Sequence, residues 1–193
     1  MSEIENPYLN EYGHYFVDLL YERVHDAFEA RKEAIKRYSW TCPSDAIGPA
    51  LVEHGITHLV EIGAGNGYWA WFLRQFGILT LAYDLKPYGD DANSGHRRWA
   101  EVLEGGPEMA IGMNRQALLL VWPPYDDPMA YEALKHYEGD TVVFVGEGYG
   151  GATGDDAFHA LLVATFEQVW SHYGPNWPGI HSSETIWKRK NTT

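Results

Sequence analysis

Apolar residues near the start of the chain recur with helical spacing. Tyr12, Tyr15, Phe16, Leu19, Leu20, Val24, Ala27, Phe28, Ile35 and Tyr38 share one face, and Asp18, Glu22, Arg23, Asp26, Glu29 and Lys32 fall largely between them. That period predicts one long amphipathic helix from Tyr12 to near Ser39. Trp40-Thr41-Cys42-Pro43 breaks it, because a proline pushes its predecessor out of the helical region. A shorter helix then runs up to Gly55, its C-terminal cap. It starts either on a Ser44 cap or with Pro49 at its first position.

From residue 57 the pattern changes to short apolar runs separated by helical stretches. Strands are expected at about 57–62, 78–83, 99–103, 117–122 and 140–145, and two more at about 165–171 and 182–189. The runs Ala117–Trp122 and Asp140–Val145 are apolar without alternation, as in the buried centre of a parallel sheet. A helix is expected at about 67–76, a short one from Pro107, one from Asp127-Pro128, and one opened by Thr153 or Asp155 as cap. Lys86–Arg98 reads as a loop. The last two strands, joined by Gly174-Pro175-Asn176-Trp177-Pro178-Gly179, form an antiparallel end. The whole predicts an α/β fold: a doubly wound, Rossmann-like, seven-stranded, mostly parallel sheet with N-terminal helices. One domain spans 1–193, with 1–56 as a helical cover and 57–193 as the α/β core.

Composition narrows the functional classes. Net charge is −13, from 27 acids against 14 bases. Such a chain repels a phosphate backbone, so nucleic acid is an unlikely partner, though a local patch could still dock it. The basic clusters Arg31-Lys32…Lys36-Arg37 and Lys188-Arg189-Lys190 read as solvated surface. No apolar run is long enough to span a membrane. The acidic, polar first residues do not form a signal peptide. A single cysteine, Cys42, permits no intrachain disulfide and suits a cytoplasmic protein.

The most informative segment is Glu61-Ile62-Gly63-Ala64-Gly65-Asn66-Gly67, which sits between a strand and a helix. Asp84 follows at the end of the next strand. Glycines let backbone approach a ligand where a Cβ would clash, and the acid can accept hydrogen bonds from ribose hydroxyls. A dinucleotide turn is G-x-G-x-x-G, with pyrophosphate at the helix start. Here the spacing is G-x-G-x-G, and Glu61 would repel a pyrophosphate but suit an amino-bearing ligand. This segment resembles the first motif, E/D-x-G-x-G-x-G, of the class I S-adenosylmethionine-dependent methyltransferases. The resemblance implies S-adenosylmethionine as cofactor, held by Glu61, Gly63, Ala64, Gly65 and Gly67, with Asp84 on the ribose.

Val121-Trp122-Pro123-Pro124-Tyr125 follows the fourth strand and is similar to the Asn/Asp-Pro-Pro-Tyr motif of amino-group methyltransferases. Pro123, Pro124 and Tyr125 carry over. Trp122 does not, because an indole offers one donor and no acceptor and cannot hold an amino group as Asn or Asp would. A small or flat, aromatic substrate fits this replacement better. Trp122, with Trp40, Trp69 and Tyr125, could also attract the sulfonium through its ring face. Candidate general bases are Glu147, His159, His96 and Asp90, with Glu147 best placed, directly after the fifth strand. Asp126-Asp127 and Asp155-Asp156 are read as helix caps and not as metal ligands, His54 and His58 lack a third ligand, and Cys42 is read as inert. The expected function is methyl transfer to a small molecule. The alternatives are a sensor, scavenger or interaction protein that binds the cofactor without transfer, and, more remotely, an NAD oxidoreductase.

Overall fold

The computed structural model describes residues 4–16, 24–88 and 97–191. Its core is a single sheet of seven strands: β1 (His58–Ile62), β2 (Leu79–Asp84), β3 (Leu103–Glu104), β4 (Ala117–Val121), β5 (Thr141–Gly146), β6 (Phe166–Tyr173) and β7 (Ser183–Arg189). The order across the sheet is β3-β2-β1-β4-β5-β7-β6. Every pair from β3 to β5 is parallel; β7 runs antiparallel to both β5 and β6. The doubly wound sheet expected from the alternating pattern is therefore present. The chain winds outward from β1 to β3, then restarts on the other side at β4. Ligands in such sheets bind outside the strand ends at this reversal.

The helices are α1 (Pro7–Tyr12), α2 (Val24–Arg37), α3 (Ile47–Glu53), α4 (Tyr68–Arg74), α5 (Met129–His136) and α6 (Asp156–Thr165). The uninterrupted apolar strands follow from burial on both faces. Leu59 on β1, Ala117 and Leu119 on β4, and Val143 and Val145 on β5 pack with α4 and the N-terminal segment. Their neighbours Val60, Ile62, Leu118, Leu120, Val142 and Phe144 pack on the opposite side with residues of α5 and α6. Adjacent strand side chains point to opposite faces, so each strand feeds both cores.

Three local expectations are corrected. The helix expected from Tyr12 to Ser39 is observed over Val24–Arg37, while Tyr12 closes a separate helix that begins at Pro7. Asn6 caps that helix, its Oδ1 accepting from Leu9 N at 3.1 Å, and Pro7 occupies the first turn. Gly13–Tyr15 then continue as a 3-10 turn; Asp18, Leu19, Leu20, Glu22 and Arg23 lie outside the described residues. The third strand is only Leu103–Glu104, because Trp99 is committed elsewhere: its N bonds Asn66 O at 3.0 Å and its Nε1 bonds Arg37 O at 2.7 Å. Finally, α3 begins at Ile47, with neither a Ser44 side-chain cap nor Pro49 at its first position. Ser44 instead serves Glu184 on β7, whose Oε1 accepts Ser44 N at 2.7 Å.

An aromatic cluster binds the N-terminal segment to the core. Tyr8 and Tyr38 stack at 4.9 Å, Tyr38 and Tyr68 meet edge-on at 5.2 Å, and Tyr12 and Trp177 lie 5.7 Å apart. Its polar atoms are paired: Trp177 Nε1 donates to Tyr8 Oη at 2.9 Å, and Tyr68 Oη donates to Asn6 Oδ1 at 2.9 Å. Tyr8 and Trp177 are both buried. Trp177→Phe should therefore cost about 1–3 kcal/mol, because it strands a buried hydroxyl. Adding Tyr8→Phe should recover part of that loss in urea unfolding, since the hydroxyl is then gone. Additive losses in the two variants would remove the bond from the account.

Candidate functional site

The turn after β1 departs from ordinary backbone at three glycines, with φ of 81° at Gly63, 56° at Gly65 and 78° at Gly67. L-residues adopt this region at a cost, so the alternate-glycine pattern is a backbone requirement. β2 holds the turn from the side. Gly63 N and Ala64 N both donate to Tyr83 O, at 2.8 and 3.0 Å, and Gly65 N donates to Asp84 Oδ2 at 2.8 Å. The other Asp84 oxygen accepts from Lys86 N at 2.8 Å. Asp84 thus shapes the glycine turn, and each of its oxygens keeps a further lone pair for a ligand. The glycines differ in purpose. A Cβ on Gly65 would meet nothing within 4 Å, so this residue opens onto free space. A Cβ on Gly67 would stand 3.0 Å from both Ala100 Cβ and Val102 Cγ2, so Gly67 is required by packing.

Glu61 stands beneath this turn, 1% exposed, and its Oε2 has no hydrogen-bond partner. Burial, and next the neighbouring Asp84 carboxylate, push its pKa up to about 8, against the opposing pull of Arg74 and an Ala70 backbone bond. A buried carboxylate in this condition is energetically incomplete until it is protonated or meets a cation.

Two adjoining cavities of about 640 and 280 Å³ open over these residues. The larger is lined by Glu61, Gly63, Ala64, Gly65, Asn66, Trp69, Asp84 and Tyr38–Trp40 of the cover, among others. The smaller is lined by Trp40, Gly63, Gly65, Asp84, Leu85, Gly105, Gly106, Pro107, Trp122, Pro124 and Met129, among others. Trp40, Gly63, Gly65, Asp84, Val121 and Pro124 border both, which makes one cleft across the carboxyl ends of β1 to β4. Gly105-Gly106 and the exposed Leu85 had not been assigned to the site. The glycine pair directly after a parallel strand was the available sign.

The Trp-Pro-Pro-Tyr segment divides. Trp122 lines the cleft at the end of β4 with φ 48°, a costly conformation for a bulky residue, while its N continues the sheet to Val145 O at 2.7 Å. Pro124 lines the cleft too. Pro123 is buried, and its carbonyl accepts from Gly154 N at 3.0 Å. Tyr125 is 70% exposed and borders a neighbouring cavity with Asp126, Gly150, Gly151 and His159. Sharp backbone turning, including φ 53° at Asp126, carries Tyr125 away from the cleft.

The proposed bases are also displaced from the cleft. Glu147 ties two loops together: its Oε2 accepts from Ala152 N and its Oε1 from His181 N, both at 2.8 Å. His159 is buried, with Nε2 2.8 Å from Thr153 O, which makes Nε2–H the donor. His96 and Asp90 lie outside the described residues. Asp155 caps α6, accepting from Phe158 N at 2.7 Å, and Asp127 Oδ1 accepts from Met129 N at 2.9 Å. Cys42 is buried, and burial pushes its thiol pKa well up. Arg189 bonds Gly139 O and Tyr137 O, and Lys188 bonds Thr141 Oγ1, so part of the C-terminal basic cluster braces strand ends.

The likeness of the chain to known proteins lies in its fold. No family model and no curated protein sequence matches it. Solved structures do. Magnesium protoporphyrin IX methyltransferase from Synechocystis PCC 6803, with bound S-adenosylmethionine, aligns with TM-score 0.55 at 12% identity, over 96% of this chain and 95% of that one. The fold is that of S-adenosylmethionine-dependent methyltransferases. The 1,6-didemethyltoxoflavin-N1-methyltransferase from Burkholderia thailandensis aligns with TM-score 0.53 at 19% identity, over 91% and 94% of the chains. A putative tRNA (m1A22) methyltransferase from Streptococcus pneumoniae aligns with TM-score 0.50 at 10% identity, over 78% and 75%. No helix among the described residues is long and apolar enough to cross a membrane.

The buried acids give a pH dependence. Glu184, buried beside Ser44, is pushed up by its burial to about 7, and Glu61 to about 8. An unfolded glutamate titrates near about 4.3, so between these values the folded state binds more protons. Stability is therefore full below the unfolded value and is lost as pH rises through about 7–8. Urea midpoints of the free protein should fall from pH ~5 to ~8, and Glu61→Gln should flatten the slope by about one proton. A slope unchanged in that variant would show that Glu61 titrates as in the unfolded chain.

Proposed function

We propose that the protein is an S-adenosylmethionine-dependent methyltransferase acting on a small, flat acceptor. The observation that carries this reading is the unpartnered, buried Glu61 oxygen bordering a cleft whose floor is the open Gly65 backbone. Such a floor accepts a ligand with a cationic amino group at one end and a nucleoside at the other. Glu61 receives the ammonium of the methionine moiety, Gly63 to Gly65 let it pass close to backbone, and Asp84 accepts from the ribose hydroxyls. Leu85 and Gly105-Gly106, at the β2 and β3 ends of the smaller cavity, border the space for the adenine. Gly67 acts through packing on Ala100 and Val102.

When bound, the cofactor supplies a methyl group on a sulfonium, which is already a good leaving group. What remains for the protein is alignment and exclusion of water. Trp122 and Trp40 border the cleft at the β4 end and supply ring faces there. Pro123 O is engaged by Gly154 N, and Trp122 has no acceptor, so the segment is poorly equipped to hold an amino group. A flat acceptor whose nucleophile loses its proton readily to water fits a cleft that Glu147 and His159 do not border.

Calorimetry with S-adenosylhomocysteine is the first test, followed by incubation of the protein with radiolabelled methyl donor and a cell extract. Asp84→Ala should weaken S-adenosylhomocysteine by about 1–3 kcal/mol, as for a lost charged hydrogen bond. Trp122→Ala should abolish labelling of the product, while Tyr125→Ala should leave it. No binding to the wild-type chain would end the reading. Tight binding with no labelled fraction would favour a sensor.

A further inference from the structure

Arg31 stands where an apolar residue belongs. Ala27 and Ala34 on α2, four before and three after it, and Tyr38 just past the helix end, seven after it, are buried at 2%, 0% and 2% exposure. These spacings place Arg31 in the middle of the helix face that meets the core. Its Nε is buried and has no hydrogen-bond partner, and among the described residues its guanidinium makes no ion pair. Burial is the largest influence on it and lowers its pKa, whereas the Tyr8 hydroxyl and the Glu147 carboxylate work the other way. Glu147 acts on it only as a longer-range charge and is not hydrogen-bonded to it; Ala152 N and His181 N donate to the Glu147 oxygens.

The guanidinium carbon lies 5.8 Å from the ring centroid of Trp40 and 5.8 Å from that of Trp122. Those two indoles are parallel to within 2°, with centroids 6.5 Å apart, and both border the smaller cavity. Trp40 is 50% exposed although it is among the largest apolar side chains of the chain. One cation without a hydrogen bond at Nε thus stands over two parallel rings that border the smaller cavity at the β4 end; Arg31 itself lies behind that border, and Asp127 is the acid on the same cavity. Glu61 and Asp84 occupy the β1 and β2 ends.

We propose that this cluster is the acceptor subsite, and that it takes an aromatic carboxylate, its ring on the Trp40 and Trp122 faces and its carboxylate on Arg31. The assignment rests on reading the cleft as a methyl-transfer site and adds the charge and shape of the acceptor. Flat rings are favoured on indole faces. The planar guanidinium fork matches a carboxylate in two parallel hydrogen bonds, which are strengthened where water is partly excluded. A protein of net charge −13 repels anions at long range, so recognition of one requires a dedicated cation such as this.

The test is calorimetry in the presence of saturating S-adenosylhomocysteine, with 2-naphthoate as probe and the neutral 2-naphthalenemethanol as control. The wild-type protein should prefer naphthoate by roughly tenfold or more. Arg31→Met should remove the preference while leaving S-adenosylhomocysteine affinity intact, and Trp40→Ala should weaken both probes. If Arg31→Met does not fold, Arg31→Lys serves: it keeps the charge but loses the fork, and the preference should shrink. Equal affinities in the wild type, a preference that survives in these variants, or displacement of naphthoate by a short single-stranded oligothymidylate would overturn the proposal. Failure of S-adenosylhomocysteine to bind would strike the methyltransferase reading itself; retained binding without any preference strikes this inference alone.

Discussion

A carboxylate sealed from water with one oxygen unpaired is the constraint around which the site is arranged. Glu61 lies on β1, the strand at which the sheet reverses its winding, and directly below the glycine turn. Moving it outward would break the pairing of β1 with both β2 and β4. Neutralising it permanently would leave no charge on its unpaired, buried oxygen to ask for a cation. The turn above must leave room, which is why Gly65 adopts a positive φ and faces open space. β2 must hold that turn without covering it, which it does through Tyr83 O and the Asp84 carboxylate. Strand order, glycine spacing and acid placement are thus parts of one electrostatic arrangement.

The cover is the second half of that arrangement. Burial strengthens the effect of a charge only if water is kept out, and Ile35, Lys36, Tyr38, Ser39 and Trp40 line the larger cavity over Glu61. The cover is held by Tyr8, Tyr12, Tyr68 and Trp177, by Tyr38 at the cavity wall, and by Ser44 against Glu184. These contacts join the first residues of the fold to its last two strands, so the cleft wall depends on the antiparallel end of the sheet, far away in sequence.

What could be read from the sequence followed local rules. Strands buried on both faces show as unbroken apolar runs, and a turn with alternate left-handed residues shows as alternate glycines. The sheet, the turn and Asp84 were legible for that reason. The acceptor side was not, because it depends on directions that no local pattern encodes. Tyr125 follows Trp122 closely, yet left-handed backbone at Trp122 and Asp126 sends it to another cavity. Glu147 emerges at the correct edge of the sheet, but its oxygens are taken by loops. Arg31 sits in a basic run that reads as surface; only the burial of Ala27, Ala34 and Tyr38 reveals that it faces inward. Trp99 falls in the strand expected at about 99–103, but its ring nitrogen bonds Arg37 O and its backbone N bonds Asn66 O in the glycine turn instead.

Trp122 stands where the motif that the segment resembles has an amide or acid, and the next residue shows a structural counterpart. A site that holds an amino group needs acceptors aimed into the cleft. Here the side chain has none, and Pro123 O is turned to Gly154 N, which ties the β4 end to the loop after β5. An isolated loss of the first motif residue would leave that carbonyl free. Both acceptors are gone together, while a ring face and a cation stand nearby, in Trp122 and Arg31. Charges of both signs border the cleft: Asp127 at the β4 end with Trp122, and Lys36 and Lys86 with Glu61 and Asp84 in the larger cavity.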